Sequence, residues 1–284
     1  MLNKNIVNFI GCDSEYEDAK IVLYGAPFDS TTSYRPGTRF ASQAIRNESY
    51  GLETYSPYQE RDLQDYAIFD SGDLELPIGN TEGVLKEIET RCETILQDSK
   101  LPFMIGGEHL VTLGAVRATA KKYPDLHILH LDAHADLRAD YLGVNLSHAC
   151  VMRRCYEIVG EQKIYQFGIR SGDREEFLFA KEGHVIMNPF DLHGLDSVIT
   201  KLQEKPVYVT VDLDVLDPGI FPGTGTPEAG GISFLELLNA LRKIGSSCQV
   251  VACDVNELSP PYDQSGVSTA VAGKIVREFL LALC

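Results

Sequence analysis

Short apolar segments rich in β-branched residues alternate with longer segments of helical spacing along most of the 284-residue chain. This alternation predicts a parallel β-sheet covered by helices on both faces. The predicted strands are Ala19–Gly25, Tyr66–Asp70, Leu101–Ile105, Leu126–Leu131, Lys163–Gly168, His184–Met187, Val207–Val211 and Cys248–Cys253. The predicted helices are Arg39–Asn47, Thr81–Asp98, Leu110–Lys122, His148–Val159, Arg174–Lys181, Pro189–Gln203, Phe234–Ile244 and Ser268–Ala282. We therefore expect an α/β fold, and periodicity alone leaves a closed barrel and an open sheet as alternatives.

The chain contains no internal repeat, low-complexity tract or Pro/Ser-rich linker that would divide it. Its length is one that α/β folds often reach without division, so we expect residues 1–284 to form a single domain. In barrels and open sheets alike, ligands bind at the carboxyl ends of the strands. The candidate functional residues should therefore lie just after the predicted strands.

The composition restricts the partners and the compartment. A net charge of −16 repels phosphate backbones, so we expect no nucleic-acid partner, and it is compatible with a cationic substrate. No apolar run reaches the roughly 20 residues that span a bilayer, and the start lacks the basic-then-apolar pattern of a signal peptide. The seven cysteines contain no Cys-x-x-Cys pair, which is typical of reduced thiols. We expect a cytoplasmic protein without membrane contact.

One predicted strand end is unusually rich in polar side chains. Leu126–Leu131 runs directly into Asp132, His134 and Asp136. Residues two apart in an extended chain point to the same side, so this segment should direct two carboxylates and an imidazole toward one place. Three such groups directly after an apolar strand would be costly to bury unless they bind something.

Two further strand ends carry similar residues. Val207–Val211 runs into Asp212 and Asp214, and Leu101–Ile105 ends in a Gly-Gly-Glu-His segment whose last residue is His109. Taken singly, His109 could be a structural histidine, and the Asp212 and Asp214 pair could form a turn or a helix cap. Taken together, the four carboxylates would repel one another without a cation, so the sequence predicts a metal site.

The donor set indicates which metal this site would hold. Four carboxylates and two imidazoles with no thiolate favour Mn²⁺ over a cysteine-based zinc site. Six ligands are too many for one catalytic ion that must keep an open position, whereas two ions sharing carboxylates fit the number. Such a pair activates water for hydrolysis near neutral pH.

The same segments resemble those of the ureohydrolases, the arginase and agmatinase family. The resemblance spans most of the chain, in the family's order and roughly its spacing. The matching segments are Tyr34–Arg39, Gly106–His109, Leu131–Asp136, Val211–Pro218, Gly223–Glu228 and Asn256–Glu257. The resemblance implies a three-layer α/β/α fold with an eight-stranded, mostly parallel sheet. It also implies a homo-oligomer of three or six chains.

The resemblance assigns a role to each site residue in turn. It implies that His109 and Asp136 bind a first Mn²⁺ ion, that His134 and Asp214 bind a second, and that Asp132 and Asp212 bridge the two. It further implies that His148 passes a proton to the departing amine, which suits an imidazole because its pKa is near neutral. Glu257 would pair with the substrate guanidinium, since a carboxylate is its planar, bidentate partner.

Three positions bear on which guanidino compound is hydrolysed. Arg138 stands where arginases use an asparagine for the substrate α-carboxylate, and Ser171 stands where they carry an aspartate for the α-amino group. The segment around Glu228 resembles that of agmatinases, whereas arginases carry an apolar residue at this position. The resemblance therefore favours agmatine as substrate, with putrescine and urea as products.

Two alternatives remain open. Arg138 could instead hold the carboxylate of guanidinobutyrate or another guanidino acid, or the enzyme could act on arginine. A catalytically silent binding paralogue is the non-enzyme alternative, although none of the six predicted metal ligands is missing.

Overall fold

One eight-stranded parallel sheet organises the computed structural model, which describes Leu2 and residues 4–284. Its strand order is β4-β1-β5-β10-β9-β6-β7-β8, and all neighbouring strands are parallel. The strands are β1 (Ile21–Gly25), β4 (Ile68–Asp73), β5 (Leu101–Ile105), β6 (His127–Leu131), β7 (Ile164–Ile169), β8 (Ile186–Pro189), β9 (Pro206–Asp212) and β10 (Gln249–Asn256). The sheet is open, with β4 and β8 at its edges, which decides between the two arrangements that periodicity left possible.

The helices cover both faces of this sheet. They are α1 (Ala41–Ser49), α2 (Thr81–Gln97), α3 (Thr112–Lys122), α4 (Val151–Val159), α5 (Arg174–Lys181), α6 (Leu195–Leu202), α7 (Phe234–Ser247) and α8 (Val267–Leu283). One apolar core packs α1, α6, α7 and α8 against the sheet, and a second packs α2, α3 and α4 against the opposite face. Successive strand residues enter opposite cores, as Val22 and Leu23 show. The expected three-layer α/β/α fold is confirmed.

The sequence-based elements agree with the structure except at a few places. The segment His148–Cys150 is a 3₁₀ turn, and the α-helix predicted from His148 starts only at Val151. The helix predicted over Pro189–Gln203 was wrong at its start, because the backbone turns left-handed at Phe190 and Gly194 before α6 begins. A short antiparallel hairpin of β2 (Tyr55–Ser56) and β3 (Arg61–Asp62) was not predicted.

The strand order brings the predicted functional segments together. The adjacent strands β5, β10, β9 and β6 lie in the middle of the sheet, and their carboxyl ends share one edge. The Gly-Gly-Glu-His segment follows β5, the two aspartate segments follow β6 and β9, and Glu257 follows β10. Among the helices of the described residues, none has the length and apolar character needed to cross a membrane.

Candidate active site

The turn after β5 places His109 at the centre of the strand ends. A Cβ atom on Gly106 would lie 1.8 Å from Oδ1 of Asn256, and one on Gly107 would lie 1.9 Å from the carbonyl oxygen of Phe28. Only glycine fits such close approaches of neighbouring groups. The two glycines therefore let the chain turn sharply and direct the buried imidazole of His109 into the site.

The imidazole of His109 points one nitrogen at three carboxylates. Its Nδ1 lies 3.0 Å from Oδ2 of Asp132, 3.2 Å from Oδ2 of Asp136 and 3.4 Å from Oδ2 of Asp212. This buried Nδ1 nevertheless has no hydrogen-bond partner of good geometry among the described residues. An imidazole nitrogen surrounded by carboxylate oxygens but not hydrogen-bonded to them fits a metal ligand.

The other nitrogen of His109 forms a hydrogen bond with a side chain of another strand. Its Nε2 lies 2.8 Å from the hydroxyl oxygen of Thr210 on β9. A hydrogen bond at this second nitrogen orients the ring and leaves Nδ1 available as a ligand.

A second imidazole lies on the other side of Asp132. Nδ1 of His134 lies 3.1 Å from Oδ2 of Asp214 and 3.5 Å from Oδ1 of Asp132. The ligand atoms fall into two clusters that share Asp132, one with His109, His130 and Asp136 and the other with His134 and Asp214. A shared carboxylate between two clusters is the arrangement that a pair of bridged ions requires.

The carboxylates are crowded enough to need a cation. Burial raises the pKa of Asp212 well above its ordinary value, and the neighbouring charges of Asp214 and Asp132 raise it further. Burial alone would lower the pKa of His109, but the carboxylates of Asp132, Asp136 and Asp212 raise it well above its ordinary value. Both shifts have one origin, which is negative charge concentrated in a buried place. A divalent cation at this place would remove that cost, so the residues present fit a metal.

His130 is a site residue that the sequence analysis missed. Its buried Nε2 donates to Oδ2 of Asp132 at 2.7 Å, and its Nδ1 accepts from Nε2 of Gln166 at 3.0 Å. His130 lies on β6 and Asp132 directly follows that strand, so the alternation of side chains along an extended chain places both on one side. The same period-two reasoning that found Asp132 and His134 would therefore have found His130.

His148 lines the same cavity as Asp136 and Asp212 and is half-buried. Its Nδ1 lies 3.0 Å from the carbonyl oxygen of Thr31, which can only accept, so Nδ1 carries the proton and donates it. Nε2 is then the nitrogen with the free lone pair, and it lies 3.3 Å from the hydroxyl oxygen of Ser33. Burial lowers the pKa of His148, which favours the neutral ring.

Glu257 joins the site through the backbone of its neighbours. Its Oε1 accepts a 2.7 Å hydrogen bond from the backbone N–H of His109, and its own N–H donates to the carbonyl of Gly107 at 3.0 Å. Burial raises the pKa of Glu257 well above its ordinary value, with added repulsion from Glu108 and Asp214. A buried carboxylate under this repulsion would be stabilised by a cationic ligand.

These groups surround a cavity of about 220 Å³. Four predicted metal ligands line it, together with His148 and Glu257; the four ligands are His109, His134, Asp136 and Asp212. The lining also includes Arg138, Tyr141, Ser171, Gly172 and Glu176, which we call the Arg138 end of the cavity. The structure thus brings all six predicted metal ligands and Glu257 within a few ångströms of His109 or Asp132, and places His148 on the same cavity.

Arg138 is paired with acidic residues rather than free. Its Nη1 lies 3.2 Å from Oδ2 of Asp173 and its Nε 3.5 Å from Oε2 of Glu176, while its guanidinium stacks 4.9 Å from the ring centre of Tyr141. Glu176 is buried, and burial raises its pKa to about 7. Two carboxylates, Glu176 in the cavity lining and Asp173 outside that lining, therefore lie against the guanidinium of Arg138.

Glu228 lies outside the cavity lining and acts on it through a neighbour. Its Oε1 accepts from the hydroxyl of Ser171 at 2.9 Å. Arg170 holds this loop in place, because its guanidinium donates to the carbonyls of Glu228 at 2.9 Å and of Asp214 at 2.7 Å. One arginine thus joins the Glu228 segment to the loop that carries Asp214.

Comparisons with known proteins agree with this geometry. A family model described as the arginase family matches residues 19–282. An agmatinase from Bacillus subtilis (strain 168) is 49% identical over 275 residues, covering 96% of this chain and 95% of the relative. A mitochondrial guanidino acid hydrolase from Homo sapiens is 33% identical, covering 94% of this chain and 79% of the relative. The crystal structure of agmatine ureohydrolase of Thermoplasma volcanium superposes with a TM-score of 0.90 at 35% identity, covering 98% of this chain and 94% of that one.

The open parallel sheet carries at its carboxyl edge a cluster of carboxylates and imidazoles that could hold metal ions, and this combination is typical of a metal-dependent hydrolase. The chain belongs to the arginase family, as an amidinohydrolase.

Proposed function

We propose that this chain hydrolyses agmatine to putrescine and urea at a pair of Mn²⁺ ions. The observation that carries the proposal is the single cavity in which Glu257 lies beside two clusters of imidazole and carboxylate donors. The agmatinase relative at 49% identity, matched over nearly its whole length, supports the choice of substrate.

The six predicted ligands divide between the two ions. His109 and Asp136 would hold one ion and His134 and Asp214 the other, with Asp132 and Asp212 shared between them. When bound, the ions supply a nucleophile from water at neutral pH and neutralise charge that develops during the reaction. His130 and Thr210 hold the ligands in the required orientation, as do the backbone N–H groups of His134 and Asp214, which donate to the carboxylates of Asp132 and Asp212.

Glu257 binds the guanidinium of the substrate. The backbone N–H of His109 occupies Oε1 and leaves Oε2 free to accept from the guanidinium. A carboxylate also offsets the charge that a guanidinium brings into a buried cavity. The substrate carbon is thereby placed beside the metal ligands.

His148 supplies the proton that the leaving amine needs. Because Nδ1 donates to the carbonyl of Thr31, Nε2 is the nitrogen that faces the reaction and can take up and deliver a proton. The lowered pKa of the ring means that it releases such a proton readily. Urea and a primary amine are the products.

The charges at the Arg138 end of the cavity favour binding of a substrate with an ammonium tail. Asp173 and Glu176 both pair with Arg138, so above pH 7, where Glu176 is ionised, this group of three side chains carries one negative charge in excess. An excess negative charge attracts the primary ammonium of agmatine and repels the carboxylate of a guanidino acid. The human guanidino acid hydrolase among the relatives keeps guanidinobutyrate as the second candidate substrate.

A side-by-side assay of urea release tests the proposal. Purified protein with Mn²⁺ is given agmatine, L-arginine or 4-guanidinobutyrate, and we expect the highest kcat/KM on agmatine. A higher kcat/KM on L-arginine or on 4-guanidinobutyrate would overturn the choice of substrate. Metal analysis should give about two Mn per chain, and protein that binds no metal would favour the silent paralogue.

Three further features stay predictions: one domain over residues 1–284, a homo-oligomer of three or six chains, and a cytoplasmic location. The single eight-stranded sheet supports the first. Light scattering coupled to size-exclusion chromatography tests the second, and fractionation of the source cells tests the third.

A further inference from the structure

Glu108 is a fully buried carboxylate that contacts Thr31 and Thr32. Its Oε2 accepts from the backbone N–H of Thr31 and from the hydroxyl of Thr32, both at 3.0 Å, and its Oε1 accepts from the hydroxyl of Thr31 at 2.5 Å. These three donors come from a loop 76 or 77 residues earlier in the chain. Glu108 therefore fastens this loop to the turn that carries His109.

The same loop holds His148 on its other side. The hydroxyl oxygen of Thr31 accepts from the backbone N–H of His148 at 3.1 Å, and the Thr31 carbonyl accepts from Nδ1 of the ring at 3.0 Å. The hydroxyl of Thr31 has one hydrogen, which it donates in a hydrogen bond to Glu108. The lone pairs of that hydroxyl are thus the part that faces His148.

We infer that Glu108 and Thr31 are positioning residues that fix the ring of His148 with Nε2 toward the cavity. The inference rests on the proposed role of His148 as proton donor. Glu108 fixes the loop and the direction of the Thr31 hydroxyl, and Thr31 fixes the backbone and the ring of His148. Through these successive contacts, the turn after β5 and the proposed proton donor His148 hold each other in place.

Buried carboxylates need their hydrogen bonds, so the arrangement is rigid. Glu108 has no exposed surface, and loss of its donors would leave a charge without partners in the core. A half-buried His148 held only by its own helix start would have more freedom to rotate. Displacement of a catalytic group by about 1 Å costs on the order of 100-fold in rate.

Variants at Thr31 separate positioning from folding. Thr31→Val keeps the size and the backbone but removes the hydroxyl, and Thr31→Ser restores it. The matched control is Ser30→Ala in the same loop, because Ser30 is exposed and its side chain makes no hydrogen bond among the described residues. Glu108→Gln tests the carboxylate, since an amide places a donor against the donors of Thr31 and Thr32.

Two measurements are made on the Mn-loaded protein. The first is the kinetics of urea release from agmatine, with Mn content recorded for every variant. The second is the rate at which diethyl pyrocarbonate modifies His148, followed by mass spectrometry relative to the exposed His193 in the same sample. The labelling rate reports the freedom of the ring whether or not agmatine is the substrate.

We expect Thr31→Val to lower kcat by about 10- to 100-fold with KM within about twofold, and to speed the labelling of His148. Thr31→Ser and Ser30→Ala should match the parent in both measurements, and Glu108→Gln should resemble Thr31→Val. If Thr31→Val matches the parent in kcat and in labelling at equal Mn content, the inference is wrong. If the parent itself does not hydrolyse agmatine, the proposed function fails, and the labelling alone decides the positioning.

Discussion

The backbone N–H of His109 donates a 2.7 Å hydrogen bond to Oε1 of Glu257. The first residue follows β5 and the second follows β10, which are neighbouring strands of the sheet. A proposed metal ligand and the proposed guanidinium partner are therefore joined directly. Their separation is set by the sheet itself, so the substrate carbon and the metal centre keep a fixed distance.

Replacing Glu257 by glutamine should weaken substrate binding and leave the metal centre intact. Glutamine keeps an oxygen that accepts from His109 but loses the charge that pairs with the guanidinium. A hydrogen bond to a charged group contributes roughly 1.5–3 kcal/mol, so we expect kcat/KM to fall about 10- to 100-fold. Urea release measures this effect, with Mn content as the control. A variant with parental kcat/KM would contradict the role of Glu257.

Removing one carboxylate from the metal cluster should abolish activity through loss of metal. We expect Asp136→Ala to bind less Mn²⁺ and to release no urea, because it deletes a ligand that faces His109. The matched control is Asp140→Ala, an exposed aspartate four residues further along the same segment. Elemental analysis and the urea assay check both variants. Full activity in Asp136→Ala would refute the metal assignment.

His130→Ala should lower metal affinity without deleting a predicted ligand. His130 donates to Oδ2 of Asp132, and loss of such an outer partner typically costs 10- to 100-fold in metal affinity. The measurement is the Mn²⁺ concentration that gives half-maximal urea release. His127→Ala serves as the control, because His127 is also buried on β6 but belongs to the opposite strand face. If both variants need the same Mn²⁺ concentration for half-maximal urea release, His130 does not contribute to metal binding.

Glu176→Gln should shift substrate preference away from a cationic tail. The change removes one of the two carboxylates paired with Arg138, so at a pH above 7, where Glu176 is ionised, the Arg138 end of the cavity becomes less negative. We expect KM for agmatine to rise about 10-fold and the preference over 4-guanidinobutyrate to shrink. Glu175→Gln, which alters an exposed neighbour, is the control. An unchanged ratio of the two kcat/KM values would show that tail recognition lies elsewhere.

The sequence predicted the parts of this molecule that depend on periodicity. The eight main strands, the layer order and the position of the site at the strand ends follow from patterns that a single chain displays. The short hairpin at Tyr55–Asp62 was missed because strands of two residues carry no periodic signal. The start of α6 was misplaced because left-handed turns at Phe190 and Gly194 interrupt an otherwise helical pattern.

The sequence predicted most residues of the site but not the contacts between them. The period-two argument for Asp132, His134 and Asp136 holds only in part, because the backbone leaves the extended conformation at Asp136, where φ is 54°. The pairing of Arg138 with Asp173 and Glu176 depends on where α5 packs, and local sequence does not contain that information. The contact of Glu108 with Thr31 joins residues 77 apart for the same reason.

Two non-glycine residues with left-handed backbones, Asp136 at φ 54° and Glu257 at φ 66°, both face the cavity. Each conformation costs roughly 1 kcal/mol that glycine would not incur. A screen that rewarded heat resistance alone would therefore tend to enrich Gly at both positions. The most heat-resistant variants would then lack a side chain that binds metal or guanidinium. Directed evolution of this protein for thermal stability must therefore also select for catalytic activity at every round.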